Sequence, residues 1–561
     1  MKFNRVLLTT ALMSLFGAGA YAQSQNSVQT DNNVQTPKNV TQLLQSGKNE
    51  NYLKNIVKCN EQTAECKVKF FTNFESGSLD SVSLKSMAYV APQMQPGFEM
   101  LNFDLFSRFD PANPADPKLQ PSARWYYFLM TGVNNKEIIL NMHNSDTRRP
   151  FYSYDGKDYH RFSTQECSIP NQIRKKYESD SVYIAYFTPY PESLLHSRIE
   201  EWSKRNCVEV SSIGTSEHGR VMPLLTITNK EKANKDKKVV YIHGRIHTSE
   251  TPGTWHLDQM IETISGESKY AQDLRDNIIF YILPFTNPDG VQEGMSRSNA
   301  NGINLEVNYN SPDSVTAKEV KNILGFLKGI TAKRPVDLVL NMHSQSLNQV
   351  TYWVHSAEST SDEYHRNLLL LCNLTINDNP YFRKDDLKFS KHASKYVEGW
   401  FYDKTQGRTI AITFETPYTF YNNKPEGEWV SLENLRAQAM NNVYAIGDYF
   451  EIPSTERIIV QEKGGKRFSK AKDKAHVYFG KSYLRAKKSG ATAKYIVKNL
   501  SAGEYDVYKW NAGATEKVSP EGINEWIKLG SHSQATTGKF IYTYYATGKG
   551  DVADNIMLIR R

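Results

Sequence analysis

Val239-Val240-Tyr241-Ile242-His243-Gly244-Arg245-Ile246-His247-Thr248-Ser249-Glu250 reads as a strand that breaks at Gly244 into a short loop ending in His-x-x-Glu. The apolar run before the glycine lacks the alternation of a half-solvated sheet, so the strand is buried on both faces, as in the middle layer of an α/β domain. Residues 278–283 and 336–342 have the same character. The loop offers His247 and Glu250 three residues apart, and an imidazole and a carboxylate so placed can converge on one metal ion. A catalytic zinc takes three protein ligands and keeps a fourth position open. With 13 His in the chain and glutamate at roughly one residue in twenty, about one such pair arises by chance. The third ligand must therefore be sought elsewhere.

A second strand end, residues 338–346, L-V-L-N-M-H-S-Q-S, raises the odds that the pair is functional. His343 stands where buried β structure gives way to a loop, at the carboxyl edge where open α/β sheets bind their ligands. A third strand, residues 409–417, T-I-A-I-T-F-E-T-P, ends in Glu415. Without a metal motif this acid reads as solvent-facing; beside an activated water it can take a proton and pass it to a leaving group. Asn287-Pro288-Asp289-Gly290 between the ligands is a turn, and Arg297 just beyond it is a candidate to stabilise an oxyanion.

Working outward, Leu257, Met260, Ile261 and Ile264, and again Val320, Ile323, Leu324 and Leu327, recur at i, i+3, i+4, i+7. That spacing predicts two helices with one buried stripe each. Ser431 is placed to cap a last helix carrying Leu432, Leu435, Ala439, Val443 and Ile446, with Pro453 beyond it. An α/β domain with a central mixed sheet flanked by helices is thus expected over residues 179–452. Residues 51–178 hold short β runs between Gly, Asn, Asp and Pro turns and predict an antiparallel β domain. Residues 453–561 return to strand periodicity and predict a β-sandwich. At the other end, Lys2 and Arg5, an apolar run from Val6 to Ala18 and Ala20-Tyr21-Ala22 read as a signal peptide over residues 1–22. The expectation is export, to the periplasm or outside the cell, with residues 23–50 as a flexible polar leader.

The 561 residues are 39% hydrophobic, enough to bury several cores, which excludes wholesale disorder. No run beyond the leader approaches the ~20 apolar residues of a membrane span. A net charge of +8 over this length is too small to mark a nucleic-acid binder. Residues 461–498 carry 12 Lys or Arg against Glu462 and Asp473. That excess suits contact with anionic envelope polymers, the plainer reading being a solvated strand face. None of the five cysteines stands in a C-x-x-C pair, so thiolate zinc is not expected. In an oxidising compartment the expected pairings are Cys59 with Cys66 and Cys167 with Cys207, leaving Cys372 as a buried thiol.

The segments G-R-I-H-T-S-E, N-P-D-G, M-H-S-Q-S and T-F-E-T-P, in that order, resemble the zinc metallocarboxypeptidases, the funnelins. Residues 71–79, F-T-N-F-E-S-G-S-L, residues 125–132, W-Y-Y-F-L-M-T-G, and residues 219–228, G-R-V-M-P-L-L-T-I-T, resemble the cytosolic-carboxypeptidase-like branch, which carries a β domain ahead of the catalytic one. The resemblance implies one zinc per chain on His247, Glu250 and His343, with Glu415 as general base and Arg297 as electrophile. Where the family shows G-x-D-L-N-R, this chain reads Gly302-Ile303-Asn304-Leu305-Glu306-Val307. The guanidinium that grips a terminal carboxylate is gone, and Glu306 replaces its amide neighbour. Glu306 is then expected to bind an amine or amide of the substrate, cell-wall stem peptides with their diamino acids being one such class. The alternative is a shift in which Arg245 or another cation supplies the charge. In residues 396–402, Y-V-E-G-W-F-Y, Glu398 is a candidate for a cationic side chain and Tyr396 or Tyr402 for a hydrogen-bond donor, against packing roles for both tyrosines. Residues 502–510 and 552–558 resemble a golvesin-type β domain. The resulting expectation is an exported zinc-dependent carboxypeptidase-type hydrolase acting on peptide or peptidoglycan-derived substrates. Its rivals are a catalytically inactive envelope-binding protein on the same fold and a small-amide amidase.

Overall fold

Strands apolar on both faces need helices on both sides, and the middle of the chain meets that demand. The structure, a computed structural model, describes residues 58–59, 67–89, 99–146, 148–377, 379–421, 428–473, 476–512 and 525–561. The expected signal peptide and leader, Cys66 and the side chain of Cys59 lie outside the described residues. The central sheet has strands β1 (Val208–Thr215), β2 (Val221–Ile227), β3 (Lys238–Gly244), β4 (Ile278–Leu283), β5 (Leu338–Gln345), β6 (Thr351–His355), β7 (Lys388–Ser390) and β8 (Ile410–Pro417). Their order is β1-β2-β4-β3-β5-β8-β6-β7. Strands β4, β3, β5 and β8 run parallel, while β1, β2 and β6 pair antiparallel, so the sheet is mixed.

The helices are α1 (Glu192–Trp202), α2 (Thr251–Ser265), α3 (Lys269–Asn277), α4 (Pro288–Gln292), α5 (Lys318–Lys333), α6 (Asp362–Ile376), α7 (Val397–Thr405) and α8 (Leu432–Tyr449). Val239, Tyr241 and Val339 share a core with Ile323 and Leu327 of α5 and Phe401 of α7. Val240, Ile242 and Leu340 face the opposite way, against Leu257 and Ile261 of α2, Leu368 of α6 and Val443 of α8. The two-residue period of each strand thus feeds two separate cores. Helix α8 opens with a capping box, the Ser431 hydroxyl accepting from Asn434 N–H and the Asn434 side chain accepting from Ser431 N–H.

Ahead of this layer lie two five-stranded sheets around Phe103, Trp125, Tyr126 and Phe128. They are mostly antiparallel, with one correction: Glu99–Phe106 and Glu137–His143 run parallel, as do Lys58–Cys59 and Ser81–Tyr89. The expected Cys167–Cys207 disulfide is also corrected, because both thiols are free. The Cys207 thiol points at the Ser265 carbonyl oxygen, 3.6 Å away in the α/β layer, while Cys167 is in the β domain near Arg149 and Glu166. Cys372 is buried and free as expected. Residues 457–560 form sheets of four, three and three strands, tied back through Arg457 to Asp448 and Arg366 to the Tyr478 carbonyl. Lys463, Lys466, Arg467 and Lys470 of the basic stretch are exposed. Among the described residues no helix is long and apolar enough to cross a membrane.

One close approach sets the site. A Cβ on Gly253, in the first turn of α2, would lie 2.7 Å from the His343 carbonyl oxygen, and Gly253 N–H donates to Ser344 Oγ at 2.8 Å. Gly253→Ala is therefore expected to push α2 off the end of β5 and destabilise the protein by about 1–3 kcal/mol, read by denaturant unfolding. The better helix propensity of alanine offsets only part of this.

Candidate metal centre

After β3 the chain turns on Arg245, whose φ of 55° lies in the left-handed region. Its guanidinium is buried and braces the loop, Nε donating to the Thr248 carbonyl at 2.7 Å and Nη1 to the Tyr190 carbonyl and Thr254 Oγ1 at 3.2 Å. It is thus committed to the protein and does not replace the cation missing at Val307. The loop delivers His247 and then Glu250, which sits at the N-terminus of α2. The helix dipole and its first N–H groups favour a carboxylate there.

Glu250 is the hinge of the site. Its Oε1 lies 2.8 Å from His247 Nδ1 and its Oε2 2.8 Å from His343 Nδ1, and Oε2 also accepts from Ser344 N–H at 3.0 Å. All three side chains are buried. Burial disfavours the Glu250 charge, yet His247 and His343 hold its carboxyl well below the usual range. The ligand atoms of His247, Glu250 and His343 lie within 4.8 Å of one another. Two imidazole nitrogens and a carboxylate oxygen form the donor set of a catalytic zinc, and the charge of the buried acid suits a cation.

The His247 imidazole is oriented from behind, and Glu306 also lies near His343. His247 Nε2 lies 3.1 Å from Asn304 Oδ1 and 3.2 Å from Glu306 Oε2, and His343 Nε2 lies 3.6 Å from Glu306 Oε1. For His247 these partners hold the proton on Nε2 and leave Nδ1 for a metal, while His343 Nε2 stays beyond hydrogen-bond distance of Glu306. Glu306, expected from the sequence to meet substrate, is therefore placed against the two histidines and on Arg297, whose Nη2 is 3.1 Å from Oε2.

Glu415 pairs with His343 in the β5–β8 register, so both side chains leave the same face of the sheet. Trp353 Nε1–H donates to its Oε1 at 2.7 Å. Burial pushes the Glu415 carboxyl up to about 7, with Glu250 and Glu306 adding to the effect and His343 opposing it. Glu398 is buried in the first turn of α7, where burial likewise raises it to about 7. Tyr396 precedes α7 with Lys395 against its ring, and Tyr402 packs on Tyr364 and His392. These are packing contacts.

Residues 198–423 match the family described as zinc carboxypeptidase, and residues 70–187 match the cytosolic carboxypeptidase N-terminal domain. His247, Glu250, His343 and Glu415 all fall within the first match. Residues 198–423 form a zinc carboxypeptidase domain. The chain's carboxypeptidase domain is similar to an uncharacterised protein of Zymomonas mobilis, 28% identical over 230 residues, 39% of this chain and 58% of that one. It is also similar to cytosolic carboxypeptidase 1 of Xenopus laevis, 25% identical over 343 residues, 51% of this chain and 26% of that one. The chain thus matches only part of the length of either relative. In fold it is similar to a metallo-carboxypeptidase from Burkholderia cenocepacia, with a TM-score of 0.56, 23% identity and coverage of 68% of this chain and 99% of that one.

The sequence reading passed over Asp110, from the β domain. Its Oδ1 accepts from Ser296 N–H at 2.7 Å, and its Oδ2 from Arg297 and Ser298 N–H at 2.7 and 2.8 Å. One buried carboxylate thereby shapes the loop that carries Arg297. Nothing local marks this aspartate, since its partners lie 186 to 188 residues away. Asn304 and Trp353 were missed for the same reason.

Two outcomes follow for the site and the loop beside it. Glu306→Gln weakens zinc binding by about 10–100-fold, read by competition against a chelating dye. Asp110→Asn replaces one acceptor oxygen by a donor and costs about 2 kcal/mol of stability in denaturant unfolding, while the bound zinc stays at one per chain.

Proposed function

We propose that the protein is an exported zinc-dependent hydrolase of carboxypeptidase type, which cleaves a terminal peptide or amide bond. The observation that carries this reading is the convergence of His247, Glu250 and His343 at the carboxyl edge of the sheet, with Glu415 beside them. His247, Glu250 and His343 would hold the zinc, which would supply Lewis-acid polarisation of the scissile carbonyl. Glu415 takes the proton of the attacking water and returns it to the departing amine. Trp353 fixes Glu415 through Oε1. A carboxyl group raised by burial is suited to such a shuttle near neutral pH. Arg297, partly exposed, holds the developing oxyanion while Glu306 and Asp110 keep it in place.

Export rests on the charged, apolar and small-residue order of residues 1–22. In that setting peptides and peptidoglycan-derived stem peptides are the substrate class, and the exposed lysines near residue 466 would meet anionic envelope polymers. The test is mass spectrometry of a mixed pool: peptides with free acidic, basic and apolar ends, their amidated twins, and cell-wall stem peptides. Zinc-loaded protein should shorten at least one class. Glu415→Gln should keep its zinc and lose turnover by about 10²–10⁴-fold. Equal rates in the two proteins would remove Glu415 from the mechanism, and an unchanged pool with the wild type would overturn the hydrolase reading.

A further inference from the structure

A small cavity of about 130 Å³ opens beside the triad, between His247 and Glu250 on one wall and Arg124 and Arg297 on another. The hydroxyl residues Ser122, Ser249 and Ser296 line it as well. Its single lining carboxylate is Glu250, which faces the two imidazoles. Arg124 comes from the β domain, and three contacts fix it. Its own N–H and that of Trp125 donate to Ser296 Oγ at 2.8 and 3.0 Å, so its backbone is tied to the residue preceding Arg297. Its Nε lies 3.2 Å from Asp146 Oδ1. Its guanidinium lies over the Tyr418 ring, 5.6 Å from the centroid.

Arg124 is paired with Asp146 and Arg297 with Glu306, and both guanidinium groups also border this small cavity, where an anion would meet positive charge from each. Arginine presents a planar fork that matches a carboxylate. Neither position 307, a valine, nor Arg245, which is turned into the protein, serves this task, and Arg297 is engaged with Glu306. We propose that Arg124 binds a carboxylate of the substrate in this cavity, so that the β domain, not the catalytic chain segment around residue 307, supplies the anchor. The inference deepens the hydrolase reading above and rests on it. A carboxylate in that position has two sources in a peptide: the terminal α-carboxylate, or an acidic side chain next to the scissile bond. Serine hydroxyls on the remaining wall complete its hydrogen bonding.

The test measures binding rather than turnover. Zinc-loaded full-length Glu415→Gln protein is titrated by calorimetry with three versions of one short peptide: glutamate before a free C-terminal residue, glutamine in its place, and the glutamate peptide amidated at its end. One of the two carboxylate losses should weaken binding by about tenfold or more, and which one does so identifies the source. Adding Arg124→Gln should abolish that difference, and Arg124→Lys, which keeps charge without the fork, should retain part of it. Equal affinities for the three peptides in the Glu415→Gln protein overturn the proposal without any further variant. An undiminished difference after Arg124→Gln, in protein that still binds one zinc, overturns it as well. Failure of the hydrolase reading is distinct, since it appears as absence of cleavage by the wild type while these affinities are read without turnover.

Discussion

A buried carboxylate between two imidazoles is stable only if its charge is answered at short range, and the architecture around Glu250 meets that condition. The acid stands at the start of α2, its oxygens 2.8 Å from His247 Nδ1 and His343 Nδ1. To bring these groups together, the loop after β3, the first turn of α2 and the end of β5 must touch. Gly253 permits the contact, since any side chain there would meet the His343 backbone. The two apolar cores on either face of the sheet hold the strands in register, so that three ligands from distant parts of the chain meet with little freedom left to lose.

Around that centre, charge is arranged in shells. Glu306 and Asn304 stand behind the imidazoles and Arg297 lies on Glu306. Asp110 gathers three N–H groups of the Arg297 loop. The β domain is therefore part of the site: it shapes the loop that carries Arg297 and brings Arg124 to the cavity next to it. The replacement of an Asn-Arg pair by Glu306-Val307 reads differently in this light. Glu306 is engaged with His247 and Arg297, and Arg124 and Arg297 border the cavity beside the triad.

Much of this was legible in the chain itself. Buried strands of period two, helices of period 3.6 and the capping serine at Ser431 are local signals, because each arises from residues close in sequence whose side chains share a face or a cap. His247 and Glu250 are three residues apart, and His343 and Glu415 each end an apolar strand, so all four were candidates from local signals, while their roles as ligands and base are what the ordered family motifs imply. The β domain and the terminal β module followed from turn residues and alternation, though the parallel pairs in the first did not, since strand direction depends on partners far along the chain.

What the tertiary structure decided was direction and partnership. Sequence placed Glu306 near the site but not the way it turns, and folding sets it on His247, His343 and Arg297. Sequence named Arg245 as a replacement cation, whereas backbone carbonyls of its own loop and of Tyr190 claim it. It also paired Cys167 with Cys207, which stand in different layers as free thiols. The physical reason is common to all three. Hydrogen bonds and ion pairs in a buried site are satisfied by whichever group the packed layers bring within about 3 Å, and for Asp110, Asn304 and Trp353 that group comes from tens to hundreds of residues away.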